Sequence, residues 1–239
     1  MGKFYNSTPW VIPQAPQEIQ DFFKSHGKKI IVERNTFVCS YNALYTPCKL
    51  DSLIYVESGR LSQGYITDNV NKPHAFSLIL PGRVLNYTHY MGFTNRQENI
   101  YTKRKSVLYY LDLGEFKNIL KNNGLLQTLM HSYCTACIAS DYDAFTCMLS
   151  CSVEKRLSYF LLALVNTYDV QCEQGWFQIP LKLSYKDISE IVYSSTKMIE
   201  RIIPSWIDRG VMTMARRSIK IHESVFDVID RGINNLGKL

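Results

Sequence analysis

The spacing of hydrophobic positions along this chain changes near Gly114. Before it, short apolar runs alternate with turn residues such as Ser58-Gly59, a pattern that predicts short antiparallel strands. The predicted strands lie at residues 29–33, 53–57, 60–66, 76–80 and 106–112. Many short strands between turns are typical of a small antiparallel barrel or jelly roll.

After Gly114 the apolar residues recur at every third or fourth position, which is the period of amphipathic helices. This spacing predicts one short helix and then a long helix over about residues 123–149. Ser152 offers a helix cap before a new amphipathic run that begins at Val153. We therefore expect a domain boundary at this cap.

Residues 184–221 contain the most informative pattern. Ser184 is a good helix cap, and Tyr185–Val192 has the spacing of a short helix. A second helix is predicted from Thr196 onward, after the turn Tyr193-Ser194-Ser195. Two helices joined in this way form a helix-turn-helix, whose second helix enters the major groove of DNA.

The two faces of this predicted second helix differ in polarity. At about 100° per residue, the apolar face consists of Ile199, Ile202, Ile203 and Trp206. The opposite face consists of Thr196, Lys197, Glu200 and Arg201. An ordinary amphipathic helix pair with a solvated polar face is the alternative interpretation of the same spacing.

The segment that follows favours the helix-turn-helix. Residues 214–221 predict two strands with a basic tip at Arg216 and Arg217, a wing suited to contact phosphates. Residues 182–220 contain eight Lys and Arg against four Asp and Glu, whereas the net charge of the whole chain is only +6. The local charge therefore supports a nucleic-acid partner, which the global charge permits without requiring it.

Residues 186–203 resemble the helix-turn-helix of the Crp/Fnr transcription regulators. The likeness extends through Asp208-Arg209-Gly210-Val211 into the wing, and residues 153–162 resemble the first helix of that DNA-binding domain. Residues 55–61 and Leu80-Pro81-Gly82 resemble positions of the family's β-roll. The resemblance implies an α+β fold: an antiparallel, jelly-roll-like sensor, a long dimerisation helix and a C-terminal winged helix-turn-helix.

The resemblance also implies an organisation and a function. We expect a β-roll effector domain over residues 1–122, a dimerisation helix and hinge over 123–152, and a DNA-binding domain over 153–239. The expected protein is a homodimer that binds pseudo-palindromic double-stranded DNA, with RNA polymerase as a further partner. It is not expected to be an enzyme or to carry a cofactor.

Individual DNA contacts follow from the resemblance. Arg201 falls where the family's base-reading arginine lies, and a guanidinium there donates two hydrogen bonds to guanine O6 and N7. Lys197 stands where the family often has a glutamate that accepts from cytosine, which a lysine cannot do. Glu200 offers an acceptor instead, or pairs with its basic neighbours. The phosphate and base contacts expected beyond these come from Ser195, Thr196, Arg216 and Arg217.

Two residues depart from the family pattern. Tyr193 replaces the small residue that is usual in the turn, and Pro204 lies inside the recognition helix, where proline kinks or weakens a helix. These departures leave open a sensor or scaffold protein that has lost DNA binding. We otherwise expect a half-site that keeps a guanine and differs from the family's standard site.

The sensor shows no cyclic-nucleotide signature. Members that bind cyclic nucleotides hold the ribose and phosphate with a Gly-Glu pair and an Arg-Ser/Thr pair, and this chain has Asn86-Tyr87 and Arg96-Gln97 there. An aromatic-lined pocket for a small organic effector is the alternative. Its candidate residues are Tyr87, Tyr90, Arg96 and Tyr133. Ordinary structural tyrosines, or no effector at all, are equally open.

The seven cysteines form an odd number in a chain whose first residues lack a secretory signal, so we expect reduced thiols and a cytoplasmic protein. Four of them fall on the long helix: Cys134, Cys137, Cys147 and Cys151. A thiol switch or metal site across the dimer is one interpretation. Close helix packing by small residues is the other, and the one we favour.

Other function classes have little support in the sequence. No run approaches the roughly 20 apolar residues of a membrane span. The region before residue 38 has no cysteine for an iron–sulfur cluster, and isolated histidines such as His131 do not form a haem motif. A cupin-type metal enzyme needs clustered ligands, whereas the β-rich region offers only His74 and His89.

Overall fold

The computed structural model describes residues 8–40, 46–65, 74–93 and 98–229, which fall into two compact units. One unit comprises Ile12–Ser140, and the other comprises the chain from Asp141 onward together with the residues before Ile12. The α+β architecture expected from the sequence is confirmed, with a β-rich unit, a long helix and a winged helix-turn-helix. The three domain ranges given above stay a prediction.

The β-rich unit is an antiparallel sheet built around two long strands. Its strands are β1 (Lys28–Val32), β2 (Phe37–Ser40), β3 (Ser52–Tyr65), β4 (His74–Ile79), β5 (Arg83–Leu85) and β6 (Glu98–Asp112). The order is β1-β6-β3-β4, with β2 also paired to β6 and β5 to β3. Strands β3 and β6 pair along nearly their whole length, and every other strand of the sheet is paired with one of these two.

Four helices accompany this sheet: α1 (Gln17–His26), α2 (Tyr87–Tyr90), α3 (Leu113–Leu120) and α4 (Gly124–Ser150). The change of period at Gly114 has a local cause, since the Asp112 side chain accepts hydrogen bonds from the backbone N–H groups of Gly114 and Glu115 and so begins α3. Phe116 of α3 stacks on Phe23 of α1 with ring centroids 5.8 Å apart. This stack joins the helices to the buried face of the sheet.

The prediction of a turn at Ser58-Gly59 was wrong. Both residues lie inside the continuous strand β3, at shifts of register against β6, so the two strands predicted on either side are one. Pairing with the equally long β6 outweighs the local turn chemistry, and the shift of register accommodates the glycine as a bulge. Two short strands that the sequence did not predict, β2 and β5, pair with these long strands.

The second unit has a smaller sheet than the first, and helices form a larger share of it. Its elements are α5 (Val153–Thr167), β7 (Trp176–Ile179), α6 (Tyr185–Ile191), α7 (Thr196–Asp208), β8 (Met212–Met214), β9 (Ile219–His222) and a 3-10 turn (Glu223–Phe226). The three strands form an antiparallel sheet in the order β7-β9-β8. The core buries Phe160 of α5 together with the expected apolar face of α7. In the part of the chain that the structure describes, no helix is long and apolar enough to span a membrane.

A substitution at Gly59 tests how closely β3 pairs with β6. Its φ of +102° favours glycine, and a Cβ there would lie 2.6 Å from the Ser106 Cα on the facing strand. We expect Gly59→Ala to lower the free energy of unfolding by about 3 kcal/mol, from backbone strain and overpacking together. Chemical denaturation of the purified variants measures this.

The matched control is Gly92→Ala, since Gly92 also has a positive φ, +91°, with no atom within 4 Å of an added Cβ. It should cost only about 1 kcal/mol, because it carries the backbone strain alone. Equal losses in the two variants would contradict the role given to the close approach of Ser106.

Candidate nucleic-acid interface

The first helix of the motif, α6, begins at a capping box. The Ser184 hydroxyl accepts a hydrogen bond from the Asp187 backbone N–H at 3.0 Å, and the Asp187 carboxylate accepts from the Ser184 N–H at 3.2 Å. These bonds satisfy donors that a helix start otherwise leaves unpaired. The helix then buries Ile188 and Ile191 towards the core of the unit. The predicted position of α6 is therefore explained by its own sequence.

The turn between α6 and α7 is held by an arginine from outside the motif. Nη1 of Arg156, on α5, donates to the carbonyl oxygens of Val192 at 2.9 Å and of Tyr193 at 2.8 Å. The Ser194 N–H donates to the Ser189 carbonyl at 2.8 Å and closes the turn from within. Arg156 thus fixes the angle at which α7 leaves α6, a role that the sequence pattern did not reveal.

Tyr193 adopts the left-handed conformation inside this turn, with φ of +52°. That conformation is strained for a residue with a Cβ and is ordinarily supplied by glycine or asparagine. The side chain is 57% exposed. The departure from the family's small residue therefore places strain at the joint between the two helices.

The second helix of the motif, α7, is anchored at both ends. The Ser195 hydroxyl accepts from the Met198 N–H at 3.3 Å and caps its start. Near its end, the indole N–H of Trp206 donates to Glu154 of α5 at 2.9 Å. The helix continues through Pro204 to Asp208, so the proline does not end it. Its expected apolar face is buried: Ile199, Ile202, Ile203 and Trp206.

The opposite face of α7 is open to solvent. Lys197, Glu200 and Arg201 are exposed, next to the cap residue Ser195. The hydroxyl of Thr196 lies 3.2 Å from that of Ser189. Among the described residues Glu200 forms no ion pair within 4 Å, so pairing with its basic neighbours does not occupy it. The Arg201 guanidinium contacts the Met198 sulfur at 3.0 Å.

The wing has the predicted form. Strands β8 and β9 pair in antiparallel register, and the Ala215 N–H donates to the Ser218 carbonyl at 2.9 Å across the tip. Arg216 and Arg217 occupy that tip and are exposed. The hairpin therefore presents two guanidinium groups in the same unit as the exposed face of α7.

The candidate effector residues of the β-rich unit occupy different environments. Tyr87 is fully buried, and the buried Tyr133 hydroxyl both donates to the Val84 carbonyl at 3.0 Å and accepts from its N–H at 2.9 Å. Tyr90 is half-buried, between Phe116 and His131. Arg96 lies outside the described residues. Burial raises the pKa of Tyr133 well above its ordinary value.

A buried polar cluster that sequence reasoning missed lies between β3 and β6. The Gln63 amide donates to the Glu98 carboxylate at 2.9 Å, and the Thr88 hydroxyl donates to the same carboxylate at 3.2 Å. Among the described residues, the Gln63 amide oxygen and the buried Nδ1 of His89 have no hydrogen-bond partner. Burial also lowers the pKa of His89. No sequence signal joins these residues, because only strand pairing brings Gln63 beside Glu98.

The four cysteines predicted for the long helix, of which Cys151 directly follows the end of α4, divide into two pairs. Cys134 and Cys137 are fully buried in the core of the β-rich unit, and burial raises the pKa of Cys134 to about 12, which favours the packing interpretation for them. Cys147 and Cys151 lie in the other unit and contact each other. The described residues contain no group of three or more His, Cys, Asp or Glu arranged for a metal ion.

Solved structures of transcription regulators share this fold. A CooA variant from Carboxydothermus hydrogenoformans matches with a TM-score of 0.71 at 12% identity, over 92% of this chain and 98% of its own. FixK2 from Bradyrhizobium japonicum matches with a TM-score of 0.66 at 10% identity, over 85% of this chain and 96% of its own. A Crp/Fnr-family regulator from Thermus thermophilus matches with a TM-score of 0.61 at 14% identity, over 85% and 98%.

No family model and no curated relative matches the sequence. The structural matches nevertheless extend over both units of the chain. The resemblance to Crp/Fnr regulators is therefore confirmed at the level of the fold.

The strain at Tyr193 leads to a prediction about stability. Tyr193→Gly should raise the free energy of unfolding by about 1 kcal/mol, because glycine adopts a positive φ without a steric cost. Thermal and chemical denaturation of the purified chain measure the difference.

Ser194→Gly, one residue further along the same turn, is the control. Ser194 has no positive φ, so glycine there only adds entropy to the unfolded chain and should lower stability. If Tyr193→Gly destabilises the chain as much as Ser194→Gly does, Tyr193 is not the strained position.

Proposed function

We propose that this chain is a sequence-specific DNA-binding transcription regulator of the Crp/Fnr type and that it acts as a homodimer in the cytoplasm. The observation that carries the proposal is the exposed polar face of α7, presented by a capped and anchored helix next to a basic wing. A recognition helix needs one face packed firmly against its own domain and the opposite face accessible to DNA, and α7 meets both conditions.

The proposed base contacts come from the first turns of α7. Arg201 donates a pair of hydrogen bonds to a guanine, and the unpaired Glu200 accepts from a neighbouring cytosine amino group. Lys197 donates to a base or a phosphate. Ser195 and Thr196, at the start of the helix, contact the sugar-phosphate backbone, where the N-terminal dipole of a helix favours anions.

We propose that the wing positions the helix-turn-helix on the DNA duplex. Arg216 and Arg217 contact phosphates, and such contacts fix the orientation of a protein on the duplex without reading its sequence. Each neutralised phosphate releases counterions, so the wing also contributes to the salt dependence of binding. Base reading and phosphate binding are thus assigned to different elements of the same unit.

The homodimer is proposed from an apolar stripe on α4. Tyr142, Phe145 and Leu149 are 71%, 43% and 90% exposed, and they fall within about 60° of one another around the helix. Their spacing of three and four residues is that of a coiled-coil seam. A second copy of the same helix covers the stripe. In the dimer, two recognition helices about 34 Å apart enter successive major grooves.

The β-rich unit is proposed to bind a small effector, with an aromatic compound as the first candidate. Tyr90 is the proposed contact because it is only half-buried, whereas Tyr87 and Tyr133 support it from the core. Arg96 is retained as a candidate for an acidic group on the effector. RNA polymerase is the proposed protein partner, and no catalytic activity is assigned to the chain.

The division of roles predicts that two arginine substitutions behave differently. Arg201→Ala should cost about 1–3 kcal/mol on the selected site and relax its preference at one base pair. Arg217→Ala should weaken all DNA sequences together and reduce the slope of log affinity against log salt by about 1. Selection of bound DNA by the purified chain, followed by fluorescence anisotropy on selected and random duplexes, measures both effects.

Lys117→Ala is the control for these measurements. It removes one positive charge from an exposed position on α3, which belongs to the other unit, and should leave specificity and affinity unchanged. Equal effects of Arg201→Ala on cognate and random DNA would contradict base reading by this residue. Failure to select any DNA would favour a sensor or scaffold protein without DNA binding.

The apolar stripe gives a prediction for assembly. Leu149→Glu should convert the dimer to monomers at micromolar concentration, because it places a charge in a covered apolar seam. Leu149→Met keeps the side chain apolar and should stay dimeric. Sedimentation velocity distinguishes the species, and a dimer that survives Leu149→Glu, or a monomeric native chain, would refute the assigned interface.

A further inference from the structure

The last turn of α4 holds two thiols in contact. Cys151 donates its backbone N–H to the Cys147 carbonyl at 3.0 Å, so the helical hydrogen bonding continues to this residue. Residues four apart on a helix have Cα atoms about 6 Å apart, within the range that a disulfide spans. Both cysteines are free thiols. The pair is therefore close enough to be bridged by a small adjustment at the helix end.

The two thiols have opposite acidities. The pKa of Cys151 is lowered to about 6, first because the Cys147 thiol donates a hydrogen bond to its sulfur. The Ser150 hydroxyl, 3.6 Å from the same sulfur, and the positive charges of Lys155 and Arg156 act in the same direction. The pKa of Cys147 is raised, since its proton is held in that hydrogen bond. Cys151 is thus a nucleophilic thiolate near neutral pH.

The same thiolate faces the arginine that holds the recognition motif. Arg156 is partly buried, and burial lowers its pKa, while the sulfurs of Cys151 and Cys147 act against this effect. Its guanidinium donates to the turn carbonyls of Val192 and Tyr193. A charge at Cys151 therefore stabilises the cation that fixes the start of α7.

The pair lies away from the apolar stripe of α4. Around the helix, Cys147 and Cys151 fall about 140° and 180° from Tyr142, the first residue of that stripe. Covering the stripe with a second copy leaves this side of the helix within its own unit. The chemistry is accordingly a reaction within one chain and not a bridge between subunits.

We propose that Cys147 and Cys151 form a peroxide-sensitive thiol pair whose oxidation to an intrachain disulfide loosens the helix-turn-helix through Arg156. Cys151 is the attacking thiolate, and Cys147 is the resolving thiol. The effect on DNA affinity rests on the proposed function, whereas the oxidation and its effect on the turn do not.

The reaction balances with hydrogen peroxide as the oxidant. The Cys151 thiolate, whose proton has passed to solvent, attacks one peroxide oxygen, so that a sulfur–oxygen bond forms and the oxygen–oxygen bond breaks. The hydroxide that leaves takes up that proton from solvent and becomes water. The Cys147 sulfur then attacks the Cys151 sulfur, releasing its own proton to the departing hydroxide as a second water. Two thiols are oxidised to one disulfide while one peroxide is reduced to two waters.

The consequence for the motif follows from charge. The disulfide carries no negative charge, so the partly buried Arg156 loses the negative charge at Cys151 that favours its cation. A partly buried cation that loses its counter-charge gains from moving towards water. The hydrogen bonds to Val192 and Tyr193 weaken, and the angle between α6 and α7 is no longer fixed.

The chemical test treats the full chain with hydrogen peroxide and analyses its peptides by mass spectrometry. The native chain should yield a peptide spanning Cys147 and Cys151 that is lighter by two hydrogens. Cys147→Ser keeps a hydroxyl donor beside Cys151 and removes the resolving sulfur, so a sulfenic acid should accumulate and be trapped by dimedone. Cys151→Ser should abolish both products. The exposed Cys172 serves as an internal comparison in every sample.

The structural test follows hydrogen exchange at the turn. The Ser194 amide, bonded to the Ser189 carbonyl, should exchange several-fold faster in the oxidised chain than in the reduced one. Arg156→Gln should exchange at the faster rate in both states, because the cation is already absent. Cys151→Ser should show no response to peroxide.

Three results would overturn the proposal. The first is a peptide that stays reduced while Cys172 oxidises, and the second is a disulfide that joins two subunits. The third is turn exchange that is the same in the oxidised and the reduced chain. Reduced protein that binds no DNA refutes the proposed function instead, because the disulfide and the exchange rates are measured without DNA.

Discussion

The candidate function depends on one partly buried guanidinium. Arg156 on α5 donates to two carbonyl oxygens of the turn that joins α6 to α7, and so sets the direction of the recognition helix. Glu154, on the same helix, holds Trp206 near the other end of α7. The helix with the exposed polar face, α7, is therefore positioned mainly by its neighbour α5.

In the β-rich unit the equivalent constraint is the long pairing of β3 with β6. All other strands of the sheet attach to one of these two, and the pairing tolerates the bulge at Gly59 only because no side chain stands there. The same pairing brings Gln63 beside Glu98 and creates a buried polar cluster. Among the described residues, this cluster leaves the Gln63 amide oxygen and the His89 Nδ1 buried without a hydrogen-bond partner, which is uncommon in a packed core.

The sequence predicted the elements whose signals are local. The period of α4 and α7, the caps at Ser152 and Ser184, and the basic tip of the wing lie within a few residues of what they control, and the structure has them close to where the pattern puts them. Features that depend on distant partners were missed or misplaced. Ser58-Gly59 has the composition of a turn, yet strand pairing with β6 extends it.

The sequence alone determined the succession of the long helices, the fold class and the polar face of α7, because hydrophobic period and capping are properties of neighbouring residues. Only the tertiary structure decided what Arg156 does, which cysteines meet, and which tyrosines are buried. Cys134 and Cys147 look alike on one helix, but the first is enclosed by the β-rich core and the second contacts an acidic thiol. The physical reason is that burial and charge depend on residues far away in the chain.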